Sequence, residues 1–578
     1  MRTFRRIVQI LSLLLFCYLM VTTRPVIVEE FYRVQSPIWP YLYFNTNPLT
    51  YISAVTASRS IPAINYLPLV VLMGAVLLLG RFFCGWLCPL GVMIDGAAHV
   101  WRPPKRPASR VPSPNLKMYI LIGIIILAIF RVNAVGFFDP ITIAMRGTSL
   151  AVQPYTEWVV RSVLGPLYKV PMLSSVTEPV FGFLKKYYLT LQPPQYEYSL
   201  VYLAILLGIF GLSTLRKRFW CRYLCPLGAV HALVGRFGAW RRRVGPQCNE
   251  CGVCGHVCRA EAIDLKNAVL YDPRECIRCM DCEAVCPQDA IEFSFMPSTK
   301  SVRVSNRELD VTRRGLLTAL GAGMLALPFL RTTAHSRSAR TGLLRPPGAL
   351  DEQQFLARCI RCGECMRACP QHALQPALLQ YGVEETWSPV LSPRIGYCEY
   401  NCTLCMQVCP TGALEILTQR AKQQFRIGTA FFDKNRCIPW AENSDCLVCE
   451  EVCPTPVKAI QMREEEVLDD AGVKRIVKRP FIVDIECIGC GICENKCPVE
   501  GLSAIRVAAR YETRYGGLAV GATYVDGGKA PAAAPVSKSA TRKAPDKATL
   551  GAKTGGASPA NPYGAPSDPY SSANPYGK

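Results

Sequence analysis

The chain has 578 residues, half of them hydrophobic, with a formal net charge of +22. That length suits three or four domains, and so much apolar surface beside so much basic charge excludes a single soluble globule. The basic residues flank apolar runs, which argues against nucleic-acid binding, and the 29 cysteines recur too regularly for a disulfide framework.

Arg2, Arg5 and Arg6 precede an apolar run, Ile7 to Thr23, followed by Arg24-Pro25 rather than a small-residue cleavage site. This reads as a retained transmembrane helix rather than a signal peptide. Cys17 within it reads as an apolar packing residue. Three further apolar stretches, 61–83, 118–138 and 198–215, approach the length of about 20 residues that crosses hydrocarbon. The expectation is a four-helix transmembrane unit over residues 1–245. The connecting segments 102–117 and 216–243 are rich in Lys and Arg, and the longer loops 24–60 and 139–195 are sparse in them. By the positive-inside rule the basic segments are cytoplasmic and the sparse loops face outward.

Two matching motifs lie at the cytoplasmic ends of the second and fourth stretches, Arg81-Phe-Phe-Cys84-Gly-Trp-Leu-Cys88-Pro-Leu-Gly91 and Arg218-Phe-Trp-Cys221-Arg-Tyr-Leu-Cys225-Pro-Leu-Gly228. This internal repeat suggests two related hairpins. Cysteines at i and i+4 share a helix face, so Cys84, Cys88, Cys221 and Cys225 form a candidate redox or metal site. The alternative is a packing motif in which Pro and Gly end each helix. His99 and His231 follow the two pairs and are candidate haem ligands or structural interfacial histidines. Asp139, at the outer end of the third stretch, is a candidate proton acceptor or a helix cap.

Residues 246–296 carry two four-cysteine runs: Cys248, Cys251, Cys254 and Cys258, then Cys276, Cys279, Cys282 and Cys286. The second reads C-x2-C-x2-C-x3-C-P, the bacterial ferredoxin pattern for [4Fe–4S] clusters, in which the fourth cysteine ligates the other cluster. Cys286 would then complete the first cluster and Cys258 the second. Arg259 stands where proline normally follows. Zinc sites typically use two separated C-x2-4-C pairs instead. This unit is expected to be a cytoplasmic two-cluster ferredoxin domain.

Residues 297–340 form a linker with Arg313-Arg314 before a mild apolar run to Leu330, the pattern of a twin-arginine export signal. The alternative is a buried cytoplasmic helix with a chance Arg-Arg pair. Residues 341–512 carry four more runs: Cys359, Cys362, Cys365 and Cys369; Cys398, Cys402, Cys405 and Cys409; Cys437, Cys446, Cys449 and Cys453; and Cys487, Cys490, Cys493 and Cys497. The two middle runs are stretched at their first gap. A nested exchange of fourth cysteines, first run with last and second with third, is the expectation; spacing equally permits sequential pairing. Residues 513–578 are rich in Ala, Pro, Gly, Ser and Lys, with Asn561-Pro-Tyr-Gly and Asn574-Pro-Tyr-Gly repeats, a composition that predicts a disordered tail. The fold class is therefore multidomain: the transmembrane unit, ferredoxin-like α+β [4Fe–4S] domains holding six clusters, and the tail.

Two resemblances cover most of the chain. Residues 1 to about 295 resemble the NapH-type membrane ferredoxins, with MauN and the membrane part of NosR similar in the paired C-x3-C-P motifs. Residues 310 to about 510 resemble NapG and MauM, in the twin-arginine leader and the Cys437-Ile-Pro-Trp440…Cys446-x2-Cys449-x3-Cys453-Pro pattern. The resemblance implies a fusion acting as a quinol dehydrogenase module of the bacterial inner membrane. Quinol would be the electron donor and a periplasmic cytochrome or reductase the acceptor. It equally implies an alternative, a factor supplying electrons while a periplasmic metalloenzyme matures. No catalytic residue is expected, since clusters carry the chemistry. A non-redox scaffold holding zinc or storing iron is the remaining class.

Overall fold

The computed structural model describes residues 2–23, 25–28, 31–34, 42–62, 65–101, 112–168, 171–190, 192–264, 267–295, 313–331, 342–468 and 474–515. The tail expected from 513 onward lies outside these residues from 516, as does the 102–111 part of the basic segment 102–117.

The N-terminal half is a bundle of helices. Helix α1 (Arg2–Thr22) is followed by α2 (Pro48–Ser58), α3 (Leu67–Leu79), α4 (Pro89–Val100) and α5 (Leu116–Ile129). Among the described helices one, Thr3–Thr22, is long and apolar enough to cross a membrane. The other three expected spans are shorter apolar helices. At about 1.5 Å per residue, the 13 residues of α3 rise only about 20 Å. The second stretch is cut short because Gly80 breaks the helix with φ +74°, and the C-x3-C-P motif begins just beyond.

The segment 139–195, expected as a loop, is mostly helical. Asp139 caps α6 (Pro140–Arg146), a π-helical turn follows at Gly147–Val152, and α7 (Gln153–Tyr168) and α8 (Pro171–Tyr187) continue. Pro140 at the first helical position and the Asp139 carboxylate on the Thr142 N–H supply the start signal. Helix α9 (Ser199–Gly211) and α10 (Pro226–Gly235) complete the bundle. Its core runs through Phe16, Val76, Leu90, Val135, Ile141, Met145 and Leu227.

The two-run ferredoxin unit closes on itself through an antiparallel pair, Arg241–Val244 with Ile291–Ser294, and sits at the end of the bundle where α1 begins. The four-run unit sits at the opposite end. It is built from short helices and two-stranded pairs, including Thr429–Phe432 with Ile505–Ala508 and the hairpin Ile460–Leu468 with Lys474–Ile482.

The twin-arginine segment forms α11 (Arg313–Leu330), which lies along α5 in parallel. Gly315 meets the Tyr119 ring, Gly323 meets Ile126, and Arg331 donates to the Phe130 carbonyl. Glycine permits the first of these contacts, since a Cβ at 315 would lie 2.2 Å from the Tyr119 hydroxyl. Helix α11 therefore runs from the end that carries one ferredoxin unit towards the end that carries the other.

Candidate redox centres

The two C-x3-C-P motifs meet. Cys84, Cys88, Cys221 and Cys225 all lie within electrostatic reach of one another. The repeat works by reciprocal exchange. Arg81 donates from Nη2 to the Cys221 carbonyl at 3.0 Å, and Arg218 donates from Nη1 to the Cys84 carbonyl at 2.6 Å. The glycine of the second C-P-L-G ending makes room for the first motif's arginine, and that of the first lies in ordinary contact with the second motif's arginine. A Cβ at Gly228 would lie 2.5 Å from Arg81 Nη2, and one at Gly91 would lie 3.7 Å from Arg218 Nη1. Arg81, Cys84 and Gly91 of one copy thus interlock with Arg218, Cys221 and Gly228 of the other.

Burial, then repulsion from neighbouring thiols, pushes Cys88 and Cys225 above the ordinary thiol range. Four thiols beside two buried arginines are a donor set suited to a cationic group that displaces the protons. Four cysteine thiolates are also the usual ligand set of a [4Fe–4S] cluster. Cys84 packs directly on the neighbouring ferredoxin run, in one small core with Cys258, Cys276 and Cys279.

In that ferredoxin, Cys258, Cys276, Cys279 and Cys282 enclose one small cavity. Cys248 and Cys251 face Cys254, and Cys286 shares Cys254's core. This is the crossed arrangement read from spacing. Arg259, in place of the usual proline, pairs with Asp281 at 2.7 Å and Asp95 at 3.1 Å. It ties the ferredoxin to α4.

In the four-run unit the sets form between neighbouring runs. Cys359, Cys362 and Cys365 group with Cys409 (set A), and Cys398, Cys402 and Cys405 with Cys369 (set B). Cys437, Cys446 and Cys449 line a cavity with Cys497 (set C), and Cys487, Cys490 and Cys493 with Cys453 (set D). The nested exchange is therefore replaced by sequential pairing, first run with second and third with fourth. The reason is chain proximity: a C-terminal cysteine folds back most readily on the run beside it. The sets also have an order. Cys365 of A neighbours Cys405 of B, the Cys398 N–H of B donates to the Cys490 carbonyl of D, and Cys493 of D neighbours Cys449 of C. The sequence A, B, D, C leads away from the bundle.

Set A meets the bundle directly. The Ile360 carbonyl sits against Gly136, where a Cβ would lie 2.3 Å away. Arg361 donates to the Asn133 carbonyl, and Asn133 Nδ2 donates to the Ala357 carbonyl at 2.9 Å. The first ferredoxin uses the same turn at the other end: the Ile277 carbonyl sits 2.3 Å from where Gly85 would carry a Cβ. Cys276-Ile-Arg-Cys279 and Cys359-Ile-Arg-Cys362 are the two runs with this C-I-R-C sequence. That shared signal marks the two docking turns, and sequence reasoning passed over it.

Of the remaining candidates, Asp139 and His231 are buried, while His99 and Cys17 are exposed, so the packing role expected of Cys17 is not what the structure shows. Asp139 accepts from Asn47 Nδ2 at 2.6 Å and from Thr142 N and Oγ1, both at 2.8 Å, as a buried helix cap. His231 is buried against Phe83, His99 is exposed at the end of α4, and Cys17 is exposed on α1. Among the described residues, no group of three or more His, Cys, Asp or Glu has the spacing to hold a single metal ion.

Comparison with known proteins supports iron–sulfur binding in four stretches of the chain. A family model described as "4Fe-4S binding domain" matches residues 62–109 and 198–245, the two C-x3-C-P repeats. A "4Fe-4S dicluster domain" model matches 358–413, and a further "4Fe-4S binding domain" model matches 269–292. The dicluster match spans sets A and B together. The methylamine utilization ferredoxin-type protein MauM of Methylorubrum extorquens is 43% identical over 18% of this chain and 50% of its own length. The ferredoxin-type protein NapG of Escherichia coli is 40% identical over 18% of the chain and 44% of its own length. The regulatory protein NosR of Stutzerimonas stutzeri is 25% identical over 36% of the chain and 24% of its own length. The chain thus spans half or less of each of these three relatives. No solved structure matches it. The chain carries several 4Fe–4S binding domains and is homologous to NapG, MauM and NosR over part of its length.

Proposed function

We propose that the chain is a membrane-bound electron-transfer protein joining a NapH/MauN-like half to a NapG/MauM-like half, which passes electrons from quinol to a periplasmic cytochrome or reductase. The observation that carries this is the placing of the cysteine sets. Two sets and the C-x3-C-P thiols lie at one end of the bundle, and set A begins a row of four at the other. In this reading α1, α3, α5 and α9 cross the membrane and α11 is a fifth segment, carrying the chain from the cytoplasmic ferredoxin to the periplasmic one.

The 24 cysteines of the six runs would hold six [4Fe–4S] clusters, each supplying one-electron transfer. Cys84, Cys88, Cys221 and Cys225 would hold a further redox group, with Arg81 and Arg218 offsetting the negative charge of the four thiolates. The chain's part is to fix spacing, exclude water and supply those cations. Similarity to MauM favours a second reading, an electron-supplying maturation factor for a periplasmic metalloenzyme.

Anaerobic EPR on the detergent-purified chain, with iron counted on the same sample, tests the first reading. A quinol analogue should produce reduced-cluster signals at about four irons per four-cysteine set. Full iron with reduction only by a low-potential donor would move the assignment to the maturation role. Replacing Cys84 and Cys221 with Ser should lower the iron count by about four; an unchanged count would remove the C-x3-C-P set from the scheme.

A further inference from the structure

The row of cysteine sets ends at set C, and a cleft of about 430 Å³ opens there. Its walls are shared with the last two sets of the row, D and C. Phe432 and Pro480 line the cleft and also the cavity of Cys437, Cys446, Cys449 and Cys497. Ala430 lines it and also the cavity of Cys453, Cys487, Cys490 and Cys493, with its N–H on Cys487 Sγ at 3.4 Å. One layer of side chain thus separates the cleft from each set.

The lining is cationic and aromatic. Lys434 Nζ lies 3.9 Å from the centre of the Trp440 ring, Arg463 lies 5.0 Å from Phe481, and Arg510 lies 5.6 Å from Phe431. All three cations are exposed, and among the described residues none has an ion pair. Of the two acids in the lining, Glu465 is taken by Arg479 at 2.8 Å, leaving Asp484 against three uncompensated cations. Stacking on ring faces holds these charges in place without neutralising them. A fixed, uncompensated positive field over a recessed wall recruits negative charge.

We propose that this cleft is the docking site for a redox partner protein presenting a carboxylate-rich surface, so that the partner meets sets C and D rather than any other part of the row. This rests on the electron-transfer reading for its purpose. The site itself rests on the charge and shape of the cleft.

The test uses the full chain in detergent. Lys434→Glu, Arg463→Glu and Arg510→Glu are combined in one variant. A control reverses the same number of charges at Lys474, Lys478 and Arg420, which do not line the cleft. Two probes are used: a fluorescent Glu-rich dodecapeptide, whose binding is read by anisotropy, and hexacyanoferrate(III), whose reduction by the dithionite-reduced chain is read by stopped flow. The cleft variant should weaken peptide binding and slow hexacyanoferrate(III) reduction by about tenfold, the scale of a like-charge contact at an interface. The control should move both by less than about twofold. Equal losses in the two variants would show that only net charge matters and would overturn the proposal. Normal peptide binding by a wild-type chain that exchanges no electrons with any donor would sink the electron-transfer reading and leave the cationic docking site standing.

Discussion

The two ends of the bundle hold their ferredoxins by the same turn and by opposite electrostatics. At the first end a buried ionic network does the fastening. Arg5 pairs with Asp281 at 3.0 Å, Arg259 with Asp95 at 3.1 Å, an aspartate that Arg218 of the bundle also holds at 2.8 Å, and Arg81 with Glu275 at 3.2 Å, and Lys117 joins Glu275 as well. At the second end the arginines reach neutral groups. Arg361 donates to the Asn133 and Thr386 carbonyls, Arg358 to Ser60 Oγ at 2.8 Å, and Arg367 to Thr23 Oγ1 at 2.6 Å. A backbone turn can therefore be docked by shape, through one glycine, while the surrounding polar chemistry is free to differ. The difference makes the first end sensitive to protonation and the second far less so.

The largest expected effect comes from breaking the ionic end. Asp95→Asn removes the shared partner of Arg218 and Arg259, leaving buried charge uncompensated, and should cost about 3–5 kcal/mol. Hydrogen exchange should rise across 248–286 and stay unchanged across 358–376; equal loosening of both would dissolve the contrast. Next in size is the glycine at the neutral end. Gly136→Val would press on the Ile360 carbonyl and cost about 1–3 kcal/mol by overpacking, with exchange rising across 358–376 instead.

Acid should separate the ends without mutation. Burial opposes ionisation of Glu275, but Lys117 and Arg81 outweigh it and hold its carboxyl below the ordinary range. Asp95 is depressed in the same way: burial opposes ionisation and Arg218 prevails. A depressed carboxyl contributes stability above its unfolded value, about 4, and that contribution is lost as pH falls through the lower folded value. Below about pH 4 the first ferredoxin should therefore become protease-sensitive before the second docking surface does. The smallest effect belongs to the exposed Lys474–Glu466 pair at 3.4 Å, where Lys474→Ala should shift stability by no more than about 0.5 kcal/mol. A larger loss on thermal unfolding would mean that the hairpin Ile460–Leu468 with Lys474–Ile482 supports more than itself.

The cysteine runs were legible because cluster ligation demands fixed spacing, and the crossed sets of the first ferredoxin followed from it. Cys84 and Cys221 were legible as a repeat, since Arg, Cys, Pro and Gly recur in register. What joined them was not, because Arg81 reaches Cys221 and Arg218 reaches Cys84 across more than a hundred residues. The nested pairing failed for a related reason: spacing within a run says nothing of which run lies beside it. Residues 139–195 misled because few charges and many aromatics describe an interfacial loop and an apolar helix equally well. The Asp139-Pro140 start signal was the better guide.

Helix α5 touches both ends, with Lys117 on the first ferredoxin and, just past Ile129, Asn133 on the second. Its rise from Lys117 to Ile129 is about 18 Å, so it is a ruler laid between two redox modules. Under the proposed orientation the charge carried between them moves through the electric field of an energised membrane. One elementary charge across the full potential is worth about 2.3 kcal/mol per 100 mV. With the cytoplasm negative, the field drives an electron outward and opposes its return. Respiration itself would then set the direction of this relay, and collapsing the membrane voltage with an ionophore would slow it even with donor and acceptor unchanged.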